Sequence, residues 1–232
     1  MRVRLHRFYV DPAKTPLVHD LWVHDMSLVH QWRRVLRYKV GQELVLFDGV
    51  AKEVLYKLVS FADDGVQLQY VTDFVRKLPQ REVYLFWALL KKDKNDWVIQ
   101  KGTELGVNHF VPILSERCEK TGFVLDRAQK IAIEAAEQCG RSNIPTIREP
   151  LQLATAIDEF KGKMPLYVCQ QSTQATPPVT ASKVGLYIGP EGGWSEDELE
   201  LFARSDSQSI AVADFTLRAE TAAVAAITRI TA

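Results

Sequence analysis

The sequence predicts an α/β fold with two domains, a small β domain over residues 1–76 and a larger α/β domain over residues 77–232. Short strand-like segments separated by tight turns fill the first domain, a pattern typical of small barrels. In the second domain, apolar strand-like segments alternate with helical patterns, which predicts a mainly parallel sheet covered by helices. The glycine-rich turn Gly189–Gly193 joins one such strand to a helix, and sheets of this class bind ligands beyond the carboxyl ends of their strands.

The first domain is predicted to contain short strands, one short helix and hairpin turns. Ser27 is the expected N-cap of the helix, which ends at Gly41. Asp48–Gly49 and Asp63–Gly65 are typical of hairpin turns. The strands expected around these turns are Val3–Val10, Leu44–Phe47, Lys52–Val59 and Val66–Val75.

The second domain is predicted to alternate strands with helices. Ser195 begins one helix as its N-cap, and Glu198 completes a capping box three residues later. The expected strands are Val83–Leu89, Phe110–Leu114, Leu166–Cys169, Val184–Ile188 and Ser209–Ala213. The expected helices run from Asp93 or Asn95 to Leu105, from Leu125 to Cys139, from Leu151 to Phe160, onward from Ser195 and onward from Glu220.

Composition excludes several classes of protein. With 47% apolar and 25% charged residues, the chain is expected to be an ordinary soluble globular protein, and no segment approaches the roughly 20 apolar residues of a membrane span. The N-terminus lacks the apolar core of a signal peptide, so we expect a cytoplasmic protein with no membrane partner. Cys118, Cys139 and Cys169 lie far apart and the histidines lack metal-ligand spacing, which predicts reduced thiols and no metal site.

Charge is unevenly distributed along the chain, although its net value is zero. Residues 1–40 are rich in Arg and Lys, whereas residues 191–200 contain acidic but no basic residues. A basic N-terminal segment predicts local contact with a phosphate backbone, and the alternative is a solvated charged face. The basic residues of this segment are Arg2, Arg4, Arg7, Lys14, Arg33, Arg34, Arg37 and Lys39.

Two loops of the second domain are predicted to bind a ligand, because both follow strands of the expected parallel sheet. In Gly189–Gly193, glycine allows another group to approach the main chain, and the alternative is a simple tight turn. In Asp214–Thr221, a helix begins near Glu220, and its unpaired N–H groups favour anions. Arg218 in this loop is expected to bind a phosphate or an anionic oxygen, and the alternative is a salt bridge to Glu191 or Glu220.

Absent motifs narrow the chemistry. The sequence has no GxGxxG after the first strand of the α/β domain, no GxxxxGK[ST] and no GxSxG. Rossmann dinucleotide binding, P-loop nucleotide hydrolysis and α/β-hydrolase catalysis are therefore not predicted.

The two loops carry motifs of a known family. Ile188–Gly193 reads IGPEGG, Ser195 and Glu198 follow it, and Leu217–Ala222 reads LRAETA. In these motifs the sequence resembles the RsmE family of SPOUT-class RNA methyltransferases, which methylate N3 of a uridine in 16S ribosomal RNA. The resemblance covers most of the chain and includes His6–Val10, His30–Gly49, Gln100–Gly106, Ser115–Cys118 and Glu137–Arg141.

The resemblance implies a PUA-like β-barrel followed by a SPOUT domain with a trefoil knot, an exception to the rule that chains are unknotted. It also implies a homodimer that acts on 16S ribosomal RNA of the small ribosomal subunit, with S-adenosyl-L-methionine bound at the knot. The cofactor residues it implies are Val168, Cys169, Gln170, Ile188, Gly189, Pro190, Glu191, Gly192, Gly193, Val212, Ala213, Leu217, Arg218 and Thr221. The implied RNA-binding residues are Arg7, Arg33, Arg34 and Arg37; Arg141, at a helix end, is a further candidate, with helix-end solvation as its alternative.

Catalysis at uracil N3 requires loss of a proton and stabilisation of the resulting anion. We expect Arg218 to donate hydrogen bonds to the uracil oxygens. Glu220 is the expected base, with Glu191 as the other candidate. For either carboxylate, the alternative is to orient Arg218 or to cap the helix.

The last loop departs from the family pattern at two positions. Ala213 stands where the family usually has glycine, and Phe215 stands where it usually has a basic residue. Because alanine tolerates positive φ poorly, we expect an altered backbone at Ala213, and at Phe215 we expect that a basic contact to RNA is missing. Two other functions therefore stay open: an RNA-binding or ribosome-assembly protein with little catalysis, and methylation of another RNA.

Overall fold

The computed structural model describes residues 5–91, 93–120, 122–170 and 179–231. The chain divides into two compact units. The first contains the described residues up to Leu78 together with Ala136–Ile144, and the second contains Pro79–Ala135 and the described residues from Pro145 onward. The sequence predicted one boundary, after residue 76, and placed the segment 136–144 in the second domain; in the structure this segment groups with the first unit.

The first unit is built on a five-stranded sheet. Its elements are β1 (Arg7–Tyr9), β2 (Asp20–Val23), α1 (Met26–His30), a π-helical turn (Gln31–Val35), β3 (Glu43–Phe47), β4 (Glu53–Phe61) and β5 (Val66–Asp73). The strand order is β1-β3-β4-β5-β2, with β1 parallel to β3 and the other neighbours antiparallel. Arg2, Arg4 and the start of the strand predicted from Val3 lie outside the described residues.

Helix α1 is capped by Asp25 rather than by the predicted Ser27. The Asp25 carboxylate accepts hydrogen bonds from the N–H groups of Ser27 (2.9 Å) and Leu28 (3.4 Å), and the Ser27 hydroxyl donates to it as well (2.6 Å). The bond from the Ser27 side chain is the main reason why the pKa of Asp25 is lowered. A carboxylate is an effective N-cap because it accepts hydrogen bonds from N–H groups that have no partner within the helix.

The core of the first unit lies between the sheet and the α1 segment. Trp32, in the π-helical turn, is fully buried. The ring of Phe8 packs edge-on against the Trp32 ring, with the ring centroids 5.4 Å apart. The other buried members of this core are Val10, Leu17, Leu21, Val23, Val29, Leu44, Leu46, Val54, Tyr56, Leu58, Val66 and Leu68.

The rest of the chain alternates strands with helices. Its elements are β6 (Glu82–Ala88), α2 (Lys94–Glu104), β7 (His109–Leu114), α3 (Leu125–Cys139), β8 (Thr146–Ile147), β9 (Leu151–Gln152), α4 (Leu153–Phe160), β10 (Leu166–Cys169), β11 (Lys183–Ile188), α5 (Glu196–Arg204), β12 (Gln208–Ile210) and α6 (Ala219–Thr231). The sheet order is β12-β10-β11-β6-β7-β8, β9 also pairs with β7, and every pairing is parallel. The helix predicted from Leu151 begins only at Leu153, because Leu151 and Gln152 pair with β7.

Side chains of β6 alternate between two cores, as expected for a strand buried on both faces. Val83, Leu85 and Trp87 pack in one core with residues of α2 and α6. Phe86 and Ala88 pack in the other with residues of α4 and α5. Because β10, β11 and β12 are parallel, the segments that follow them start from the same edge of the sheet. Among the described helices, none combines the length and apolar character that a membrane crossing requires.

Candidate functional site

A cavity of about 560 Å³ opens at the carboxyl edge of β10, β11 and β12. The segments that follow these strands line it, together with the first turn of α6. Its lining residues that the sequence predicted are Cys169, Gln170, Ile188, Gly189, Pro190, Glu191, Gly193, Val212, Ala213, Leu217 and Arg218. Phe215, Thr216 and Ala219 also line it and belong to the loop predicted to bind a ligand, whereas sequence reasoning missed Trp194, Leu199 and Ala222.

Three residues predicted for the cofactor lie outside the lining of this cavity. Val168 is buried in the core that contains α4 and α5. Gly192 turns its carbonyl toward Arg117, whose guanidinium donates to it (3.1 Å). Thr221 is exposed on α6.

Gly189–Gly193 forms the cavity wall that follows β11. The N–H of Gly193 donates to the carbonyl of Pro190 (2.9 Å) and closes a tight turn, in which Gly193 has a φ of +68°. A Cβ on Gly189 would lie 3.2 Å from the indole of Trp194. Glycine is therefore favoured at Gly193 by the backbone conformation and at Gly189 by the close approach of the Trp194 ring.

Trp194 anchors this wall to α5. Its indole packs edge-on against the ring of Phe202, with centroids 5.0 Å apart, and its carbonyl accepts a hydrogen bond from Arg117 (3.4 Å). Trp194 therefore packs the glycine turn against α5. The sequence search looked for polar and charged groups, so it did not predict this role.

The predicted capping box at the start of α5 is confirmed, with Ser195 and Glu198 exchanging hydrogen bonds. Glu198 is buried and also accepts a hydrogen bond from the N–H of Glu116 (2.8 Å). The wall after β11 is thus tied to the segment that follows β7.

The segment that leads into α6 forms the opposite wall. The carbonyl of Arg218 accepts the N–H of Ala222 (2.8 Å), and the Arg218 side chain is exposed beside the cavity. Phe215 is 81% exposed.

The backbone at Ala213 does not have the positive φ that would strain alanine. Among the described non-glycine residues, positive φ angles occur at Arg37 and Asp206.

Lys94, which sequence reasoning missed, connects the two walls. Its ammonium lies 2.9 Å from the Glu191 carboxylate and 3.4 Å from the Glu220 carboxylate. Glu191 also accepts a hydrogen bond from the N–H of Lys91 (3.4 Å). A salt bridge from Arg218 to Glu191 or Glu220 was one sequence-based alternative, and the structure pairs both carboxylates with Lys94.

One feature of the sequence could have drawn attention to Lys94, although it does not specify the partner of this side chain. Lys94 is the first residue of α2, where a positive charge opposes the helix dipole. Cations at such a position are favourable when acidic groups from elsewhere in the fold approach them, and Glu191 and Glu220 meet this requirement.

The charges at this contact stabilise each other. Burial on its own would raise the pKa of Glu191, but hydrogen bonds from Lys94 and from backbone N–H groups lower it below its ordinary value. The hydrogen bond to Glu191 in turn raises the pKa of Lys94.

Burial raises the pKa of the Cys169 thiol to about 11, so Cys169 lines the cavity as a neutral thiol and not as a nucleophile.

The cavity combines apolar walls with charge at its edges. Ile188, Val212 and Leu217 supply apolar surface, while Glu191 and Arg218 supply charges of opposite sign. Such a lining suits an organic molecule that has a flat apolar part and a charged part.

Two of the basic residues predicted to contact RNA are exposed in the first unit. Arg34 and Arg37 are exposed, and Arg37 has a φ of +53°, which is uncommon for a non-glycine residue. Arg33 is half-buried: its guanidinium lies 4.9 Å from the centre of the Phe61 ring and donates to the carbonyl of Ala62 (2.8 Å).

Arg141 is buried and Arg7 is largely buried in the first unit, whereas their predicted contact with RNA stays a prediction. Arg7 pairs with Glu53 and donates to the carbonyl of Arg141 (3.2 Å). Burial lowers the pKa of Arg141 to about 10. The charge count over residues 1–40 could not show the pairing of Arg7, because its partner Glu53 lies 46 residues away in the chain.

Comparison with known proteins identifies the family. A family model described as an RNA methyltransferase domain matches residues 76–231, and one described as an RNA methyltransferase PUA domain matches residues 33–69. The ribosomal RNA small subunit methyltransferase E of Synechocystis is 30% identical over 214 residues, which are 88% of this chain and 70% of the relative. The chain belongs to the ribosomal RNA small subunit methyltransferase E family.

Further members of the methyltransferase E family agree with this assignment. The protein from Rickettsia conorii is 29% identical over 209 residues, 87% of this chain and 85% of the relative. The crystal structure of the methyltransferase E from Neisseria gonorrhoeae, bound to S-adenosyl methionine, is 26% identical with a TM-score of 0.86 and covers 97% of this chain and 95% of that chain. The resemblance to RsmE is confirmed, as is an α/β methyltransferase domain with an N-terminal PUA-like domain. The SPOUT topology and its trefoil knot stay predictions.

Proposed function

We propose that the protein transfers a methyl group from S-adenosylmethionine to ribosomal RNA of the small subunit. The observation that carries this proposal is the cavity at the ends of β10, β11 and β12, in a chain of the methyltransferase E family. The binding of S-adenosyl methionine by the Neisseria gonorrhoeae relative supports it.

The lining of the cavity fits this cofactor. A volume of about 560 Å³ lies within the range of roughly 300–1,000 Å³ that small-molecule sites span. Ile188, Val212 and Leu217 would hold the adenine, and the Glu191 carboxylate would complement the positive sulfonium group. The bound cofactor supplies an electrophilic methyl group, and the protein's task is to orient the acceptor toward it.

We propose N3 of a uridine in 16S ribosomal RNA as the acceptor. Arg218, exposed beside the cavity, would donate hydrogen bonds to the uracil oxygens and so stabilise the anion that forms when N3 loses its proton. Glu220 pairs with Lys94 and lies outside the cavity lining. This position supports an orienting role for Glu220 more strongly than a role as the base that removes the proton from N3.

The family resemblance also supports the remaining parts of the proposal, a homodimer with a trefoil knot that acts on the small ribosomal subunit in the cytoplasm. Arg34 and Arg37 are exposed and would contact the phosphate backbone of the RNA. Arg33 would contribute through the part of its guanidinium that the Phe61 ring and the Ala62 carbonyl leave accessible.

One feature favours a second function, RNA binding or ribosome assembly without catalysis. Phe215 replaces a residue that is usually basic in the family, and it is highly exposed. A chain with this function would need no cofactor, so binding of S-adenosylmethionine distinguishes the two.

Isothermal titration calorimetry with the full chain tests the proposal. We expect one S-adenosylmethionine site per chain, and binding of S-adenosylhomocysteine at the same site. If neither molecule binds, the protein is not a methyltransferase that uses this cofactor, and the RNA-binding function is the better account.

A further inference from the structure

Lys94 is shared by the two walls of the cavity. It lies in the first turn of α2, and its ammonium contacts Glu191 in the wall after β11 and Glu220 in the first turn of α6. The side chains of Lys94, Glu191 and Glu220 are 29%, 30% and 16% exposed, so solvent screens these contacts only in part.

The helices beneath this contact are firmly packed. Val98 and Ile99 of α2 share one buried core with Ala223 and Ile227 of α6. Glu191, by contrast, stands on a glycine-rich turn. The ammonium therefore connects a segment that follows a strand to two helices whose relative position the core fixes.

We infer that Lys94 is a positioning residue that sets the separation of the two cavity walls and thereby determines cofactor affinity. The inference rests on the proposed function, because that function assigns S-adenosylmethionine to the cavity. Lys94 itself is outside the cavity lining, so it acts through Glu191 and the start of α6.

Removal of the ammonium has a defined electrostatic consequence. Both carboxylates lie within 3.4 Å of one cation, and without it they remain as two negative charges close together. Like charges at such a site repel, and partial shielding from solvent strengthens the repulsion relative to an exposed pair. The walls are expected to separate, and the affinity for the cofactor is expected to fall about tenfold.

Three variants test this inference by calorimetry with S-adenosylmethionine and S-adenosylhomocysteine. Lys94→Met keeps most of the side-chain length without the charge and is expected to weaken both ligands about tenfold. Lys94→Arg keeps the charge and is expected to bind close to wild type. Lys101→Met is the matched control, because Lys101 pairs with Glu104 (2.8 Å) on the same helix but outside the cavity lining.

The outcomes separate a positioning role from a general effect on folding. If Lys94→Met binds both ligands as wild type does, or if Lys101→Met weakens binding as much, the inference is wrong. In methyl transfer, Lys94→Met is expected to raise the KM for the cofactor with little change in kcat. A purely structural role would instead lower the amount of active protein and leave the KM unchanged.

A second measurement tests the contact independently of the cofactor. In a double-mutant cycle of Lys94→Met with Glu220→Gln, chemical unfolding is expected to show a coupling of about fivefold in the unfolding equilibrium constant. Additive effects would overturn the inference even if the wild type binds the cofactor. A coupled pair in a wild type that binds neither ligand would show instead that the proposed function has failed while the contact itself exists.

Discussion

The carboxylate of Glu53 holds the guanidinium of Arg7 inside the first unit. The Glu53 side chain is 0% exposed and that of Arg7 is 12% exposed, and the Ser142 hydroxyl donates to the same carboxylate. A buried pair of this kind is costly to break from one side, because the remaining charge is left without its partner. Arg7, which the family resemblance implied as an RNA contact, therefore takes part in an ion pair within the first unit.

Glu53→Ala is expected to destabilise the protein by about 3 kcal/mol, since it leaves Arg7 buried without its carboxylate. Urea denaturation followed by circular dichroism measures the change. Lys14→Ala is the control, because its contact with Asp11 (3.9 Å) is exposed and contributes less than about 1 kcal/mol. Equal stability of the two variants would contradict the structural role of the pair.

The exposed arginines of the first unit are expected to determine the salt dependence of RNA binding. Removing both charges with Arg34→Ala and Arg37→Asn should weaken RNA binding and reduce the slope of log K against log [salt] by about one for each phosphate that is no longer neutralised. Asn is chosen at Arg37 because it tolerates the positive φ there. Filter binding over a range of salt concentrations measures the slope, and Lys161→Ala, an exposed lysine of the second unit, is the control. An unchanged slope would remove these residues from the RNA interface.

Arg218→Ala is expected to lower kcat by roughly 10²-fold or more, because the variant lacks a donor to the developing anion. The fold should be intact, since the main-chain hydrogen bond from Ala222 to Arg218 does not depend on the side chain. Arg204→Ala removes an exposed arginine that pairs with Glu200 and should keep full activity. An Arg218→Ala variant as active as wild type would exclude this side chain from the mechanism.

The contact between Lys94 and Glu191 gives a prediction for pH. The pKa of Glu191 is lowered from its ordinary 4.5, so its contribution to stability is present above that value and is lost as the pH falls through the lowered pKa. The pKa of Lys94 is raised from 10.5, so its contribution is present below that value and is lost as the pH rises through the raised pKa. The stability difference between wild type and Lys94→Met should be constant around neutral pH and shrink as the pH falls below 4.5 through the lowered pKa of Glu191. Denaturation at several pH values checks this, and a difference that grows in acid would contradict the ion pair.

The sequence predicted those parts of the fold that depend on local pattern. The parallel sheet follows from apolar strands alternating with helices, and the cavity wall after β11 follows from the spacing of Gly189, Gly193, Ser195 and Glu198. The exposed Arg218 was found because it stands in a short loop after a strand, where a charged side chain commonly serves a ligand.

Pairings between residues distant in the chain were not predictable from pattern alone. Lys94 and Glu191 meet because β6 and β11 are neighbours in the sheet, an order that no local signal specifies. Arg7 and Glu53 likewise meet through sheet pairing, since β1 lies beside β3 and β3 beside β4. In both cases the sequence shows a charge, and the fold determines whether that charge serves a ligand or another side chain.

Transfer of a labelled methyl group tests the central claim most directly. The full chain is incubated with labelled S-adenosylmethionine and unmodified small ribosomal subunits, and the modified nucleotide is mapped; free 16S ribosomal RNA and transfer RNA serve as comparison substrates. We expect label at N3 of a single uridine in 16S ribosomal RNA, and its loss with Arg218→Ala but not with Arg204→Ala. Absence of label from ribosomal RNA, in a chain that binds the cofactor, would contradict the proposed substrate.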